Sequence, residues 1–338
     1  MQQRAGGKNW DYYMGDAKRL LVVDALNMYF RAYIVNPTLS TNGQPIGGTV
    51  GFLKILQKLC RETRPDEVVI CWDGEGGSRK RKSTNKNYKA GRKPIRLNRD
   101  IRNLTENEEM ENKVWQQTRL FEYLNNLAVI QLMLPSVEAD DIIAQVVQSP
   151  KYDGWQKVIV SSDKDFFQLC DDETVVFRPI QKEVMNTNTI VEKFNIHPVN
   201  FALARAIVGD VSDNLPGVPG VGLATVAKRF SFLSEAIPWT LTEILSRCEN
   251  VDNRLKVHDA IIENEKLIHE NYKMMQLYVP SISVQGKGKI KYAIENFTPE
   301  LNLTGFRAMT LEDGFVELNF SDLFSTMKRI VVESKTEN

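Results

Sequence analysis

Nine carboxylates fall in five short clusters along a chain of 338 residues: Asp24; Asp73; Glu138, Asp140 and Asp141; Asp163 and Asp165; Asp210 and Asp213. So many like charges cannot share one site unless cations neutralise them. Hard oxygen donors without paired His or Cys select Mg²⁺ or Mn²⁺ over zinc. The chemistry these residue types allow is therefore metal-assisted.

The neighbouring residues say how the acids are held. Asp24 follows Leu20-Leu21-Val22-Val23, Asp73 follows Val68-Val69-Ile70-Cys71-Trp72, and Asp163 lies just past Val158-Ile159-Val160. Apolar runs of this length read as buried strands. In parallel α/β sheets, ligands bind at the carboxyl ends of strands, so three such ends aim their acids at one crevice. Strands are predicted near 20–24, 67–73, 128–134, 157–161 and 174–178, with helices near 47–62, 107–126 and 138–147. This alternation predicts a mostly parallel sheet covered by helices on both faces. From 198 onward the pattern is helical, with one further strand expected near 288–293.

Composition sets limits. Hydrophobic residues make up 42% of the chain and charged residues 25%, enough for a substantial core in an ordinary soluble protein. No apolar run approaches the ~20 residues of a membrane span. The first twenty residues read as lacking a secretory signal. The four cysteines have no metal-ligand spacing and are expected to be reduced thiols of an intracellular protein. The net charge is zero, yet Ser78 to Arg102 carries eleven Lys or Arg against one acid, Asp100. A basic segment beside an acidic, metal-loaded crevice suits a polyanion gripped by one surface and cut at the other.

Each motif also has a plainer reading. Glu138, Asp140 and Asp141 open a helix, where acids simply complement the dipole. Asp163 and Asp165 could cap a turn. Asp210 and Asp213 share a helical face, and either alone could be a cap. Leu215-Pro216-Gly217-Val218-Pro219-Gly220-Val221-Gly222 bares backbone N–H groups before a helix near Leu223, where they could meet a phosphate; otherwise it is a Gly–Pro turn. Lys228 and Arg229 add positive charge there. In the basic segment, Tyr88 offers a face for base stacking, and Lys80, Lys89 and Arg92 offer charge; otherwise the segment is a solvated loop. His197, His258 and His269 show no ligand spacing.

Taken in order, Val23-Asp24, Trp72-Asp73-Gly74, Tyr88-Lys89-Ala90-Gly91-Arg92, Val137-Glu138-Ala139-Asp140-Asp141, Ser162-Asp163-Lys164-Asp165 and Gly209-Asp210-Val211-Ser212-Asp213-Asn214-Leu215-Pro216-Gly217-Val218 resemble the 5′-nuclease or flap endonuclease family. The similarity is greatest to the 5′-nuclease domain of bacterial DNA polymerase I and its stand-alone phage relatives. It covers about 20–235 well and 236–270 loosely. The resemblance implies a PIN-like α/β fold with a helical arch and a helical helix–three-turn–helix region. Its expected divisions are an N-terminal extension (1–19), a nuclease core (20–185) with the arch at about 78–112, a duplex-binding region (186–275), and a C-terminal region of open role (276–338). It implies two Mg²⁺ ions, replaceable by Mn²⁺. Asp24, Asp73, Glu138 and Asp140 would serve the first, and Asp141, Asp163, Asp165, Asp210 and Asp213 would lie at or toward the second. Lys89 and Arg92 match arch residues that meet the scissile phosphate. A K⁺ ion is implied in the hairpin of 205–230. The arch start, Ser78-Arg79-Lys80-Arg81, departs from the family by its extra charge and lacks the aromatic often found near it, which leaves the arch arginine unassigned between Lys80 and Arg81.

The activity implied is 5′-3′ exonuclease and flap endonuclease cleavage of DNA or of an RNA–DNA hybrid during replication or primer removal. A cytoplasmic monomer is expected, working beside a separate polymerase or single-strand-binding protein. Two alternatives are a PIN-like ribonuclease and a non-catalytic, structure-specific DNA-binding protein. The basic segment and glycine-rich block argue against the first, and the full set of nine acids against the second.

Overall fold

The computed structural model describes residues 17–336 apart from 91–94, 99, 102–103 and 316–318, with only the backbone at 320 and 333–336. Six strands, β1 (Arg19–Asp24), β2 (Glu67–Trp72), β3 (Ile130–Met133), β4 (Gln156–Val160), β5 (Thr174–Arg178) and β6 (Glu183–Met185), form one sheet in the order β3-β2-β1-β4-β5-β6. All pairs are parallel except β5 with β6. The helices are α1 (Ala25–Val35), α2 (Gly47–Thr63), α3 (Arg79–Thr84), α4 (Glu106–Leu124), α5 (Ala139–Val147), α6 (Thr187–Phe194), α7 (Pro198–Val208), α8 (Leu223–Arg229), α9 (Leu241–Glu249), α10 (Lys256–Glu263), α11 (Glu265–Met275), α12 (Val284–Glu295), α13 (Leu303–Glu312) and α14 (Phe320–Thr336).

The unbroken apolar runs of β1 and β2 have a direct cause: both faces of the sheet are buried. Leu20 and Val22 point into one core with Ile142, Phe166 and Phe201. Leu21 and Val23 point into the other with Tyr29, Phe52 and Tyr123. The chain runs β1, β2, β3 outward on one side, then returns to place β4 on the other side of β1. The strand order therefore reverses between β1 and β4, the place where such sheets open a crevice. Asp24 ends β1, Asp73 follows β2, and Asp163 lies three residues past β4, so all three acids stand on one rim.

The C-terminal region is part of the cores. Phe306, Leu323, Phe324, Met327 and Ile330 join the second core, α12 packs on α5 and β3, and α14 on α2. Asp313 accepts from Arg119 and from the Tyr123 hydroxyl (2.6 Å). The strand expected near 288–293 is helix α12. Ile290, Tyr292 and Ile294 alternate as a strand would, but Ile290 and Ile294 are buried four residues apart while Tyr292 is 71% exposed. The short antiparallel strand β6 was not anticipated. Among the described residues, no helix is long and apolar enough to cross a membrane.

Candidate active site

Local hydrogen bonding fixes the acids on the rim. Asp24 caps α1, accepting from the Asn27 N–H (3.2 Å), and takes a second bond from Ser161 Oγ (2.9 Å). Asp73 reaches across to accept the Ala139 N–H at 2.7 Å, so it caps α5. Glu138, at the cap position itself, makes no capping bond. Asp163 accepts from the Asp165 N–H (2.8 Å) and steadies the 3₁₀ turn Asp165–Leu169. Asp210 accepts from Ser212 N (2.7 Å) and Oγ (2.6 Å). Capping and site-forming are thus combined in Asp24, Asp73 and Asp163.

Three basic side chains stand among the acids. Arg81, from α3, bonds Glu138 and lies 3.0 Å from Asp141. Lys89 Nζ donates to Glu138 Oε1 at 2.7 Å. Arg205, on α7, donates from Nε to Asp165 Oδ1 at 3.0 Å and also bonds Asp210. Of the two residues left open at the start of the basic segment, Arg81 is the one that reaches the acids; Lys80 is exposed on α3. Lys89 adopts a left-handed backbone (φ 54°), which costs a lysine about 1–3 kcal/mol. Its N–H donates to the Asp213 carbonyl (2.9 Å), and Asn214 donates to the Asn87 carbonyl (2.9 Å), so the 210–215 loop holds that strained turn.

Other expected site residues are placed differently. Tyr88 is 3% exposed, packed with Leu215, Met274 and Met275, and its hydroxyl points at Glu138 (3.2 Å). It anchors the segment here and presents no free face for stacking. Asp141 is buried, and Oδ1 accepts from the Ser281 N–H at 2.7 Å; with Oδ2 on Arg81, both its oxygens are engaged. Arg92 lies outside the described residues. Lys228 is exposed on α8. Gly217 does not offer its backbone outward: a Cβ there would sit 1.8 Å from the Val208 carbonyl, so the residue is a close-packing point. Gly220 (φ +74°) and Gly222 face open space. Arg205 was not anticipated. Its signal was a single arginine in an otherwise apolar run, Phe201-Ala202-Leu203-Ala204-Arg205-Ala206-Ile207, where a buried cation needs buried acids.

The site's electrostatics follow from burial. Burial is the main cause that lifts the Asp24 carboxyl to about 7, with Asp73 and Asp163 adding to it. Burial and then Asp163 lift Asp165 to about 7. Asp140 and Asp163 are raised the same way, by burial and then by neighbouring acids. For Glu138 burial also pushes upward, but Arg81 and Lys89 outweigh it and hold it below the ordinary value. A carboxyl raised in the folded state favours folding most when protonated in both states. That contribution is complete below about pH 4 and is lost as pH climbs to about 7. Asp24 and Asp165 therefore weaken the metal-free fold as pH rises through this window. The Tm gap between Mg²⁺-supplied and EDTA-treated protein should widen between about pH 5 and 7.5; a constant gap would count against these acids as cation ligands.

Among the described residues, no three acidic, His or Cys side chains form a ready-made ion cage. The donor set nevertheless fits divalent cations. Four carboxyls, Asp24 buried and Asp140, Asp163 and Asp165 partly so, are raised by burial and by neighbouring acids; every candidate donor is oxygen, and Arg81, Lys89 and Arg205 leave that surplus uncompensated. A small cleft reaches two of them, Asp140 and Asp165, and is also lined by Arg81, Tyr88 and Asp213.

The chain also resembles known proteins in sequence and in fold. Residues 19–195 match the family model described as 5′-3′ exonuclease, N-terminal resolvase-like domain. A 5′-3′ exonuclease of Aquifex aeolicus is 28% identical over 272 residues, 77% of this chain and 82% of that protein. The thermostable DNA polymerase I of Thermus thermophilus is 30% identical over 247 residues, 71% of this chain but only 27% of the polymerase. In fold, the chain resembles the bacteriophage T5 flap endonuclease in a pseudo-enzyme-product complex with DNA and metal ions (TM-score 0.61, 17% identity, 92% of this chain and 100% of that one). The chain belongs to the 5′-3′ exonuclease family.

Proposed function

We propose that this chain is a structure-specific 5′-nuclease, both 5′-3′ exonuclease and flap endonuclease, working with two Mg²⁺ ions held by the rim carboxylates. The observation behind this is that one end of the sheet gathers Asp24, Asp73, Glu138, Asp140, Asp163 and Asp165 near enough to act on one another, with two cations of the basic segment, Arg81 and Lys89, bonded to Glu138 among them. Bound divalent ions would supply an acidified water and stabilise the leaving oxygen. The chain's residues do the rest. Asp24 and Asp73 serve on the first-metal side with Glu138 and Asp140; Asp163 and Asp165, with Asp210 and Asp213 behind them, serve toward the second. Lys89, resting on Glu138, would turn toward a phosphate seated on the acids. Arg92 is proposed to join it. Arg205 keeps Asp165 and Asp210 apart and oriented.

The 186–275 helices are proposed to bind the duplex backbone, with a K⁺ ion in the 209–222 hairpin. Substrates would be DNA 5′ ends, flaps and RNA–DNA hybrids, processed by a monomer beside a separate polymerase. Gly222→Val adds a side chain in open space without φ strain. It is expected to weaken binding of duplex-containing DNA more than of single strands. Gly217→Val should instead disrupt the loop and lower both equally. Equal losses in both variants would remove the duplex-grip role. The deciding assay uses a 5′-labelled flap, a nicked duplex and an RNA–DNA hybrid, each with and without Mg²⁺. Cleavage confined to single-stranded RNA would point to a PIN-like ribonuclease, and DNA binding without cleavage would overturn the enzymatic reading.

A further inference from the structure

Residues 274–281, from the last residues of α11 toward α12, form a strap that meets several parts of the site. The Met274 carbonyl accepts from Arg81 Nε at 3.0 Å. The Met275 carbonyl accepts from Gln168 Nε2 at 3.0 Å, and the Leu277 N–H donates to Gln168 Oε1 at 2.6 Å. The Ser281 N–H donates to Asp141. Gln168 also donates from Nε2 to the carbonyl of Asp165, at 2.7 Å. One carboxamide, 4% exposed, thus makes three hydrogen bonds. Its neighbours Phe166, Phe167 and Leu169 are all core residues. Buried polar groups are retained for their hydrogen bonds, and the carboxamide here donates twice and accepts once, a set that a single hydroxyl does not supply.

We propose that Gln168 is a positioning residue for Asp165, and that the strap is the common reference against which Asp165, Asp141 and Arg81 are set. This rests on the reading of Asp165 as a cation ligand. The physical argument is the weakness of the turn that carries it. Asp165–Leu169 is a 3₁₀ segment, whose i→i+3 bonds have poor geometry. Gln168 replaces that missing rigidity by tying the backbone of Asp165 to a strap that also grips the base of the arch. Without the tie, Asp165 is free to follow Arg205, and the acids on either side of the cleft lose their common spacing.

The test uses the full chain carrying Gln168→Met, which keeps side-chain length and loses all three bonds. Mn²⁺ binding is followed by electron paramagnetic resonance, single-turnover cleavage by its Mg²⁺ dependence, and flap affinity in Ca²⁺. The Mn²⁺ Kd and the half-saturating Mg²⁺ concentration should both rise about 10-fold or more, the scale for losing a partner behind a metal ligand. Flap affinity in Ca²⁺ should be essentially unchanged. In an Asp165→Asn background, Gln168→Met should add nothing to the Mn²⁺ Kd. A lower Tm with Mn²⁺ and Mg²⁺ dependence unaltered would overturn the proposal, leaving Gln168 a core residue only. A weakened Mn²⁺ Kd in Gln168→Met beside a normal one in Asp165→Asn would overturn the route through Asp165 and, separately, retire Asp165 as a ligand. If Gln168→Met does not fold, Gln168→Glu carries the test: it keeps the acceptor for Leu277, loses the donor to Asp165, and should show the same shift.

Discussion

Cleavage by Lys89→Ala, measured in single turnover at saturating enzyme, is expected to fall about 10²-fold or more, the scale of losing one oriented electrostatic donor. The segment around Lys89 carries eleven cations, most of them interchangeable for attraction. Lys89 is different by position. Its ammonium is directed at Glu138 and lies 4.9 Å from the centre of the Tyr88 ring. Its strained backbone is held by the Asp213 carbonyl, so the side chain reaches Glu138 from a fixed origin. Alanine keeps that backbone no worse than lysine does, so the fold should survive. Lys80, exposed on α3, is the matched control. Lys80→Ala should chiefly weaken binding and flatten the salt slope by roughly one unit. Equal small losses in both variants, confined to affinity, would reduce the segment to a charged tether.

Asp165→Asn should abolish Mg²⁺-supported cleavage and leave flap binding in Ca²⁺ nearly intact. The amide keeps the shape of the carboxylate and an oxygen for Arg205 Nε, which lies 3.0 Å from Oδ1. It removes the charge that a divalent cation needs. It also removes a half-buried like-charge neighbour of Asp163, so the metal-free protein should be at least as stable as the unaltered one. Near-normal turnover would mean that Asp165 serves only to hold Arg205.

Much of this arrangement was legible because acids placed after apolar runs encode both a strand and its end. Asp24, Asp73 and Asp163 were read that way, and the rim brings them together. What was hidden depends on partners far away in sequence. Arg205 meets Asp165 forty residues off, and Ser281 meets Asp141 across 140; neither leaves a local pattern. Tyr88 looked like a stacking surface because its neighbours are basic. Its burial comes from Leu215 and α11, which the segment's own composition does not reveal. Gly217 was grouped with Gly220 and Gly222 because glycine records only that a side chain is excluded, and the Val208 carbonyl excludes it from within.

The central place of β1 has a consequence for how the chain acquires activity. Its neighbour β4 lies 137 residues further along, joined through pairs such as Arg19 with Gln156. Such remote pairing makes folding slow, because the loop must close before the pairing rewards it. During synthesis β1 must wait for β4, and the Asp165 turn must wait longer still for residues 274–281. Asp24 and Asp163 therefore meet only after about half of the polypeptide exists, and the strap joins them later still. A chain that stops short of residues 274–281 is therefore expected to carry most of the acids but to lack the strap bonds to Gln168 and Asp141, so the fold's topology delays the finished site to the last fifth of synthesis.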